Sequence, residues 1–360
     1  MPESGHRIRT GELPHGRRNS IADVSGVTVG HATVDRGNIH TGVTVVVPCE
    51  GPVIARRPVA AAHVLNGFGK TCGLVQVGEL GCIETPIALT NTLCVGRVAD
   101  GLVTNALREA RSAGLPLPST INPVVGETND GRISDIRARA VGESDVLAAI
   151  DSASADFARG SVGAGRGTVC FGLKGGIGSS SRLADIGEKS YALGVLVQSN
   201  FGRMPDLVLG GKPVGSRIAE ELATPEAPER GSIMVVVATD APLSSRQLGR
   251  VIRRATVGLV RCGSYMGHGS GDVFIGFTTQ TRWALPWAPM DAWSCAAFPR
   301  TGLTRSSAPA RRQPRRRCST RCWRRSRCGV STGRSTAAWG SSSEGTEAKN
   351  APAPNSAWEF

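Results

Sequence analysis

Apolar and polar positions follow two periods through the first 280 residues. Residues 26–31 and 42–48 are rich in valine and threonine and predict β-strands, and the short polar link between them predicts a hairpin. Residues 73–77 predict a further strand. Residues 96–113 set Val98, Leu102, Leu107 and Ala110 at near-helical spacing, and residues 145–158 predict a second helix with Ser144 as its N-cap. Three β-branched runs follow at 168–173, 191–198 and 233–239, with an exposed helix end and loop over 216–230. Ser244 or Ser245 then caps a helix whose Leu248, Val251, Ile252, Ala255 and Leu259 form one apolar face, and residues 271–279 close the region as a strand. Strands apolar on both faces, set between amphipathic helices, point to sheets layered with helices.

The chain changes character near residue 281. Its net charge of +13 suggests a nucleic-acid partner until it is localised: residues 281–360 carry 14 Lys and Arg against 4 Asp and Glu. All six tryptophans (Trp283, Trp287, Trp293, Trp323, Trp339 and Trp358) lie there, and residues 300–328 hold eleven arginines with no acid. Such a stretch has neither helical nor strand periodicity. Its composition points to out-of-frame translation of a GC-rich gene, ahead of a nucleic-acid or membrane-binding arm or a disordered extension. The expected organisation is one domain over 1–280 and an aberrant arginine-rich tail over 281–360.

Cysteines 49, 72, 82, 94, 170, 262 and 295 show no CxxC pairing and mostly sit in apolar runs, which predicts reduced core residues and a cytoplasmic protein. Residues 1–20 lack an apolar signal core, and no 18-residue apolar run predicts a membrane span.

Several short motifs carry competing readings. Residues 67–71 (GFGKT) end like a phosphate loop, but Val64 occupies the position of its first glycine, so nucleotide binding is not expected. The G-x-S-x-G match at 329–333 falls in the arginine-rich tail without a strand before it, as chance matches do. No histidine pair is spaced for zinc, so neither metal nor cofactor is expected. His268 reads as a loop histidine rather than a triad base. The glycine- and serine-rich residues 175–181 either line a site or form a tight loop. Glu127, Asn129 and Asp130 suit a substrate ammonium, although solvated turns have the same composition. The pair Gly231-Ser232 stands at the mouth of a strongly apolar strand. A self-cutting hydrolase would place its nucleophile there, with glycine allowing a strained backbone, yet ordinary turns also begin this way.

Seven collinear segments between about residues 19 and 279 decide more than any single motif. They are 21–33 (IADVSGVTVGHAT), 85–92 (TPIALTNT), 126–131 (GETNDG), 174–182 (KGGIGSSSR), 197–202 (VQSNFG), 231–243 from Gly231-Ser232 to Ala241-Pro242-Leu243, and 270–272 (SGD). Together they resemble the L-aminopeptidase/D-esterase family, which includes the DmpA-type enzymes and the β-peptidyl aminopeptidases. The resemblance implies a four-layer αββα sandwich of mixed α/β class, made as a precursor that cleaves itself between Gly231 and Ser232 into chains 1–231 and 232 onward. It implies Ser232 as the N-terminal nucleophile, Asn200 as an oxyanion donor, and Ser270 and Asp272 as assistants to the Ser232 hydroxyl and amine. Glu127 would hold the free α-amine of a small peptide, amide or ester. Asn129, where some members carry tyrosine, would lie beside the substrate. Homo-oligomers are expected from the family. Rival readings are an uncleaved pseudoenzyme whose basic tail binds nucleic acid, and a self-processing acyltransferase of the ornithine acetyltransferase type. Ser232 argues against the latter, because that group usually uses threonine.

Overall fold

The computed structural model describes residues 11–223 and 231–282. The arginine-rich tail, the G-x-S-x-G match, Cys295 and the end of the 216–230 loop lie outside the described residues.

Among the described residues, nine strands build the two main sheets: β1 (Thr28–Arg36), β2 (Ile39–Val47), β3 (Pro58–Gly67), β4 (Ile87–Asn91), β5 (Val124–Thr128), β6 (Gly176–Ile186), β7 (Lys189–Asn200), β8 (Ser232–Thr239) and β9 (Gly271–Arg282). One sheet runs β1-β2-β4-β5 and the other β3-β9-β8-β7-β6. The helices are α1 (Val53–Arg56), α2 (Leu74–Leu80), α3 (Val95–Ser112), α4 (Glu143–Asp151), α5 (Gly215–Glu221), α6 (Ser245–Ile252) and α7 (Ala255–Arg261).

Alternation along single strands shows why the domain has four layers. On β8, Met234, Val236 and Ala238 join a core with Val46, Ile87, Leu89 and Val124 of the facing sheet. The intervening Ile233, Val235 and Val237 join Leu248, Ile252 and Leu259 of α6 and α7 on the outer side. On the four-stranded sheet, Val43, Val45, Ala88 and Val125 face Val98 and Leu102 of α3 and Val146 and Ala149 of α4. Three apolar interfaces therefore separate helices, sheet, sheet and helices, the αββα order that the family resemblance implies. Each fully buried Val, Leu or Ile contributes roughly 1.5–3 kcal/mol.

The N-terminal hairpin forms as expected, with Thr28 paired to Val47 and Arg36 to Ile39. The strand expected at 73–77 is instead helix α2. Gly73 (φ 86°) and Gly81 (φ 67°) turn the chain at both ends, and only Val77 of the helix is buried, leaving Val75 exposed. Helix α4 is capped by Gly142, whose N–H donates to Asp145 Oδ2 at 2.8 Å, rather than by Ser144. It ends at Asp151, ahead of Ser154, which bridges to Val29 of β1. The run at 168–173 is a tight hairpin, Val169–Cys170 against Leu173–Lys174, because Phe171 and Gly172 both adopt positive φ. Residues 176–181 lie in edge strand β6, neither a site loop nor a tight turn. Their hydroxyls tie down the N-terminal segment: Ile21 N–H donates to Ser179 Oγ at 2.8 Å and Ser181 Oγ donates to Asp23 Oδ2 at 2.6 Å. Ser244 caps α6 as expected, but the single helix is two, broken at Arg253 and Arg254. Cys72, Cys82, Cys94, Cys170 and Cys262 are free thiols; Cys82 and Cys94 are buried and Cys262 is exposed.

Candidate active site

Gly231 and Ser232 open β8, a central strand. The register sets Ser232 opposite Asn200 of β7 on one side and Gly271 of β9 on the other. Three segments remote in sequence thus meet at one level of one sheet. Ser232 is 6% exposed. Its hydroxyl donates to the Gly231 carbonyl oxygen at 2.8 Å and accepts from the Gly271 N–H at 3.3 Å. The hydroxyl therefore lies against the carbonyl of the peptide bond that precedes it.

Steric clearance calls for glycine at 231. A Cβ there would collide with Phe201 Cα and lie 2.8 Å from the Asn200 carbonyl oxygen, both backbone atoms that a side chain cannot displace cheaply.

Ser270 and Asp272 flank Gly271 and are each 1% exposed. Ser270 Oγ donates to Asp272 Oδ1 at 2.6 Å, which fixes the hydroxyl while Gly271 between them touches Ser232. His268 is exposed in the preceding turn.

The side-chain amide of Asn200 is oriented from both ends. Its Oδ1 accepts the Val169 N–H at 2.9 Å, and its Nδ2 donates to the Asn129 carbonyl at 3.0 Å. An amide Nδ2 has two protons, so one stays available after that bond. Asn129 therefore reaches Asn200 through its backbone; its exposed side chain folds onto its own loop, accepting the Gly131 N–H at 2.9 Å.

Glu127 lies near the end of β5 on the facing sheet and is 3% exposed. Oε1 accepts the Lys70 N–H at 2.8 Å and Oε2 accepts the Thr92 hydroxyl. The 67–71 segment, which resembles part of a phosphate loop, thus lies against a carboxylate, the wrong partner for a phosphate. A Cβ on Gly69 would stand 3.4 Å from Glu127 Oε1 and 3.7 Å from Gly271 Cα, so this segment sits between the Glu127 and Ser232 sides of the site. The sheets approach closely here: a Cβ on Gly126 would collide with Met234 Cε.

Asp130 is not in a solvated turn. It is 2% exposed, and Oδ2 accepts the Thr41 hydroxyl at 2.5 Å. Burial, with a smaller contribution from the Glu127 charge, pushes its carboxyl up to about 6.

The fold brings together Ser232, Asn200, Ser270 and Asp272 on one sheet and links them through Asn129 to the sheet that carries Glu127. Sequence reasoning missed the Lys70, Val169 and Gly271 N–H groups, which carry no side-chain signal, and Thr92, which stands in the 85–92 segment without an assigned role. An open groove of about 590 Å³ lined by Leu193, Val195, Val237 and Val251 lies on the outer face of the sheet and holds none of these residues.

The profile of Peptidase family S58 matches residues 19–304. The chain is 40% identical over 289 residues to the beta-peptidyl aminopeptidase BapA of Sphingosinicella microcystinivorans, covering 73% of this chain and 71% of that protein. Among solved structures, a beta-aminopeptidase from Burkholderia sp. superposes with a TM-score of 0.71 at 39% identity, over 83% of this chain and 82% of the other. The L-aminopeptidase D-Ala-esterase/amidase of Ochrobactrum anthropi, described as a variant of the Ntn hydrolase fold, superposes with a TM-score of 0.70 at 33% identity over 77% and 78% of the two chains.

Proposed function

Because this chain belongs to peptidase family S58, and is an aminopeptidase-type hydrolase of the N-terminal-nucleophile fold, we propose that Gly231–Ser232 is its self-cleavage bond and Ser232 its nucleophile. The observation that carries this reading is the Ser232 hydroxyl, fixed by Gly271 N–H and by the very carbonyl it would attack.

In the first step Ser232 Oγ adds to the Gly231 carbonyl carbon, its proton passes to the Ser232 nitrogen as the C–N bond breaks, and an ester joins Gly231 to Oγ. Water hydrolyses that ester, leaving a carboxylate on Gly231 and a free amine and hydroxyl on Ser232. An α-amine has a pKa of about 7.7–8.0, so a useful fraction is unprotonated near neutral pH and can take the Oγ proton without a large shift. The hydroxyl then attacks a substrate carbonyl, the leaving amine takes the proton, and water releases the acyl group. Ser270, held by Asp272, supports the hydroxyl and amine through this cycle. The spare Asn200 Nδ2 proton meets the oxyanion, a role worth about 2.7–4 kcal/mol where such donors have been removed. Glu127 takes the ammonium of the substrate, which makes a free N-terminus part of recognition.

The substrates of this reading are small peptides, amino-acid amides or esters with a free amine, and the relatives named for beta-peptides extend the class to β-linked residues. A homo-oligomer in the cytoplasm completes the proposal. Free thiols in the described core support the compartment, and among the described residues no helix is long and apolar enough to cross a membrane. The pseudoenzyme and acyltransferase alternatives are not favoured by the aminopeptidase relatives. Intact mass and N-terminal sequencing of the purified protein test the reading. A fragment starting Ser232-Ile233-Met234, together with hydrolysis of an amino-acid anilide, is the expected result, and a single uncut chain overturns it.

A further inference from the structure

The two groups that grip the Asn200 amide are both outside the two main sheets. Asn129 lies past the end of β5, and Val169 belongs to the two-residue hairpin after the glycine-rich turn at Gly163–Gly165. Something must hold these two segments at a fixed separation, since the amide is only as well aimed as its partners.

Asp130 occupies the place between them. It follows Asn129 directly, and its side chain packs on Gly167, two residues before Val169, where a Cβ would approach to 2.7 Å of Asp130 Cβ. Its Oδ2 takes the Thr41 hydroxyl of β2, and Thr41 in turn accepts Asn91 Nδ2 at 2.7 Å. Asn91 Oδ1 accepts the Leu93 and Cys94 N–H groups at the entry to α3. The Asp130 carbonyl closes its own turn by accepting the Ile133 and Ser134 N–H groups at 3.2 and 3.1 Å. One carboxyl therefore ties the loop carrying Asn129 to the four-stranded sheet and packs it on the loop carrying Val169.

Its chemistry does not favour a merely structural role. Asp130 Oδ1 is buried without a hydrogen-bond partner among the described residues, and the carboxyl shares its surroundings with the charge of Glu127. A buried, incompletely satisfied polar group is costly to the fold, and an apolar side chain would fill the volume at lower cost.

From this placement we infer that Asp130 is a positioning residue for the reaction, holding the Asn129 and Val169 segments so that the Asn200 amide is aimed at the oxyanion. The inference rests on the oxyanion role proposed for Asn200. It predicts an effect on kcat rather than KM, because an oxyanion exists only in the transition state.

A double-mutant cycle on the full-length protein tests it, with an amino-acid anilide as substrate and intact mass as a second readout of self-cleavage. Asp130→Ala is expected to lower kcat by about 100-fold, within the range found for loss of an oxyanion donor, with KM within about twofold. Asp130→Asn, which keeps the shape and an acceptor for Thr41, is expected to restore most of kcat. In an Asn200→Ala background, Asp130→Ala is expected to cost little more, since its partner is already gone. Full additivity of the two losses, or equal changes in kcat and KM, overturns the positioning role. Unchanged kcat in Asn200→Ala alone instead overturns the proposed role of Asn200. If Asp130→Ala does not fold, Thr41→Val removes the 2.5 Å bond and leaves the carboxyl in place. A Thr41→Val kcat equal to wild type then counts against the inference, and a kcat loss that vanishes in the Asn200→Ala background supports it.

Discussion

Asn200, at the end of β7, donates its side-chain amide to the backbone carbonyl of Asn129, past the end of β5, at 3.0 Å across the gap between the sheets. The bond joins the half of the site that holds Ser232 to the half that holds Glu127. It makes the aim of the amide a property of the packing between sheets rather than of one loop.

Asn200→Ala should therefore lower kcat by about 10²–10³-fold with little change in KM. The fold should survive, because β7 keeps its ladder with β8. Steady-state kinetics on an amino-acid anilide separate the two parameters, and a loss confined to KM would remove Asn200 from oxyanion stabilisation.

Ser232→Ala should leave one uncut chain and reduce hydrolysis by at least about 10⁴-fold, as removal of a nucleophile does elsewhere. Denaturing mass spectrometry reads the first effect directly. A variant that still splits after Gly231 would place the nucleophile on another residue.

Glu127→Gln should raise KM for substrates with a free amine by about tenfold or more. One charge-assisted hydrogen bond, worth about 1.5–3 kcal/mol, is replaced by a neutral one. The Lys70 N–H can still find an acceptor at this position. N-acetylated substrates provide the control: equal loss on acetylated and free-amine compounds would show that Glu127 does not read the ammonium.

Asp130 carries a pH signature in stability. Its folded pKa, raised to about 6 from 3.8, means the native state binds this proton more tightly than the unfolded chain. Stability from this group is greatest below about pH 3.8 and falls by about 3 kcal/mol as pH rises through 6. Glu127 and Cys94 are its titratable neighbours. His40 and Arg166, next in the chain to Thr41 and Gly167, are both paired with Asp35. Asp130→Asn should thus match wild type in denaturant melts near pH 4 and exceed it at pH 8. A stability difference that stays flat with pH would show that the carboxyl does not titrate in this range.

The parts legible in the sequence are those where side chains alone decide. The unbroken apolar run 233–238 reports a strand buried on both sides, and the spacing of Val98, Leu102 and Ala110 reports the inner face of α3. Strands β3, β4, β5 and β6 give little periodic signal: β3 carries the small residues Ala60, Ala61 and Ala62, β4 and β5 are short, and β6 is rich in serine. Helix α2 reads as a strand because Val75 and Val77 are β-branched, while the two glycines that turn the chain act through backbone φ. At the site, the collinear segments mark Ser232, Asn200 and Glu127, but Lys70, Val169 and Gly271 act through backbone N–H groups that carry no residue-type signature. The burial of Asp130 is hidden because a Thr-Asn-Asp-Gly run has the composition of a solvated turn.

The strand order β3-β9-β8-β7-β6 has a topological consequence for a chain cut at Gly231. Strands β8 and β9 fall to the downstream fragment, and they lie side by side between β3 and β7, both of which stay with the upstream one. Such a scission divides a sheet through its middle without opening it. The two products remain interleaved as one cooperative unit, each supplying the other's ladder partners. They should separate only under denaturing conditions, and neither should fold alone.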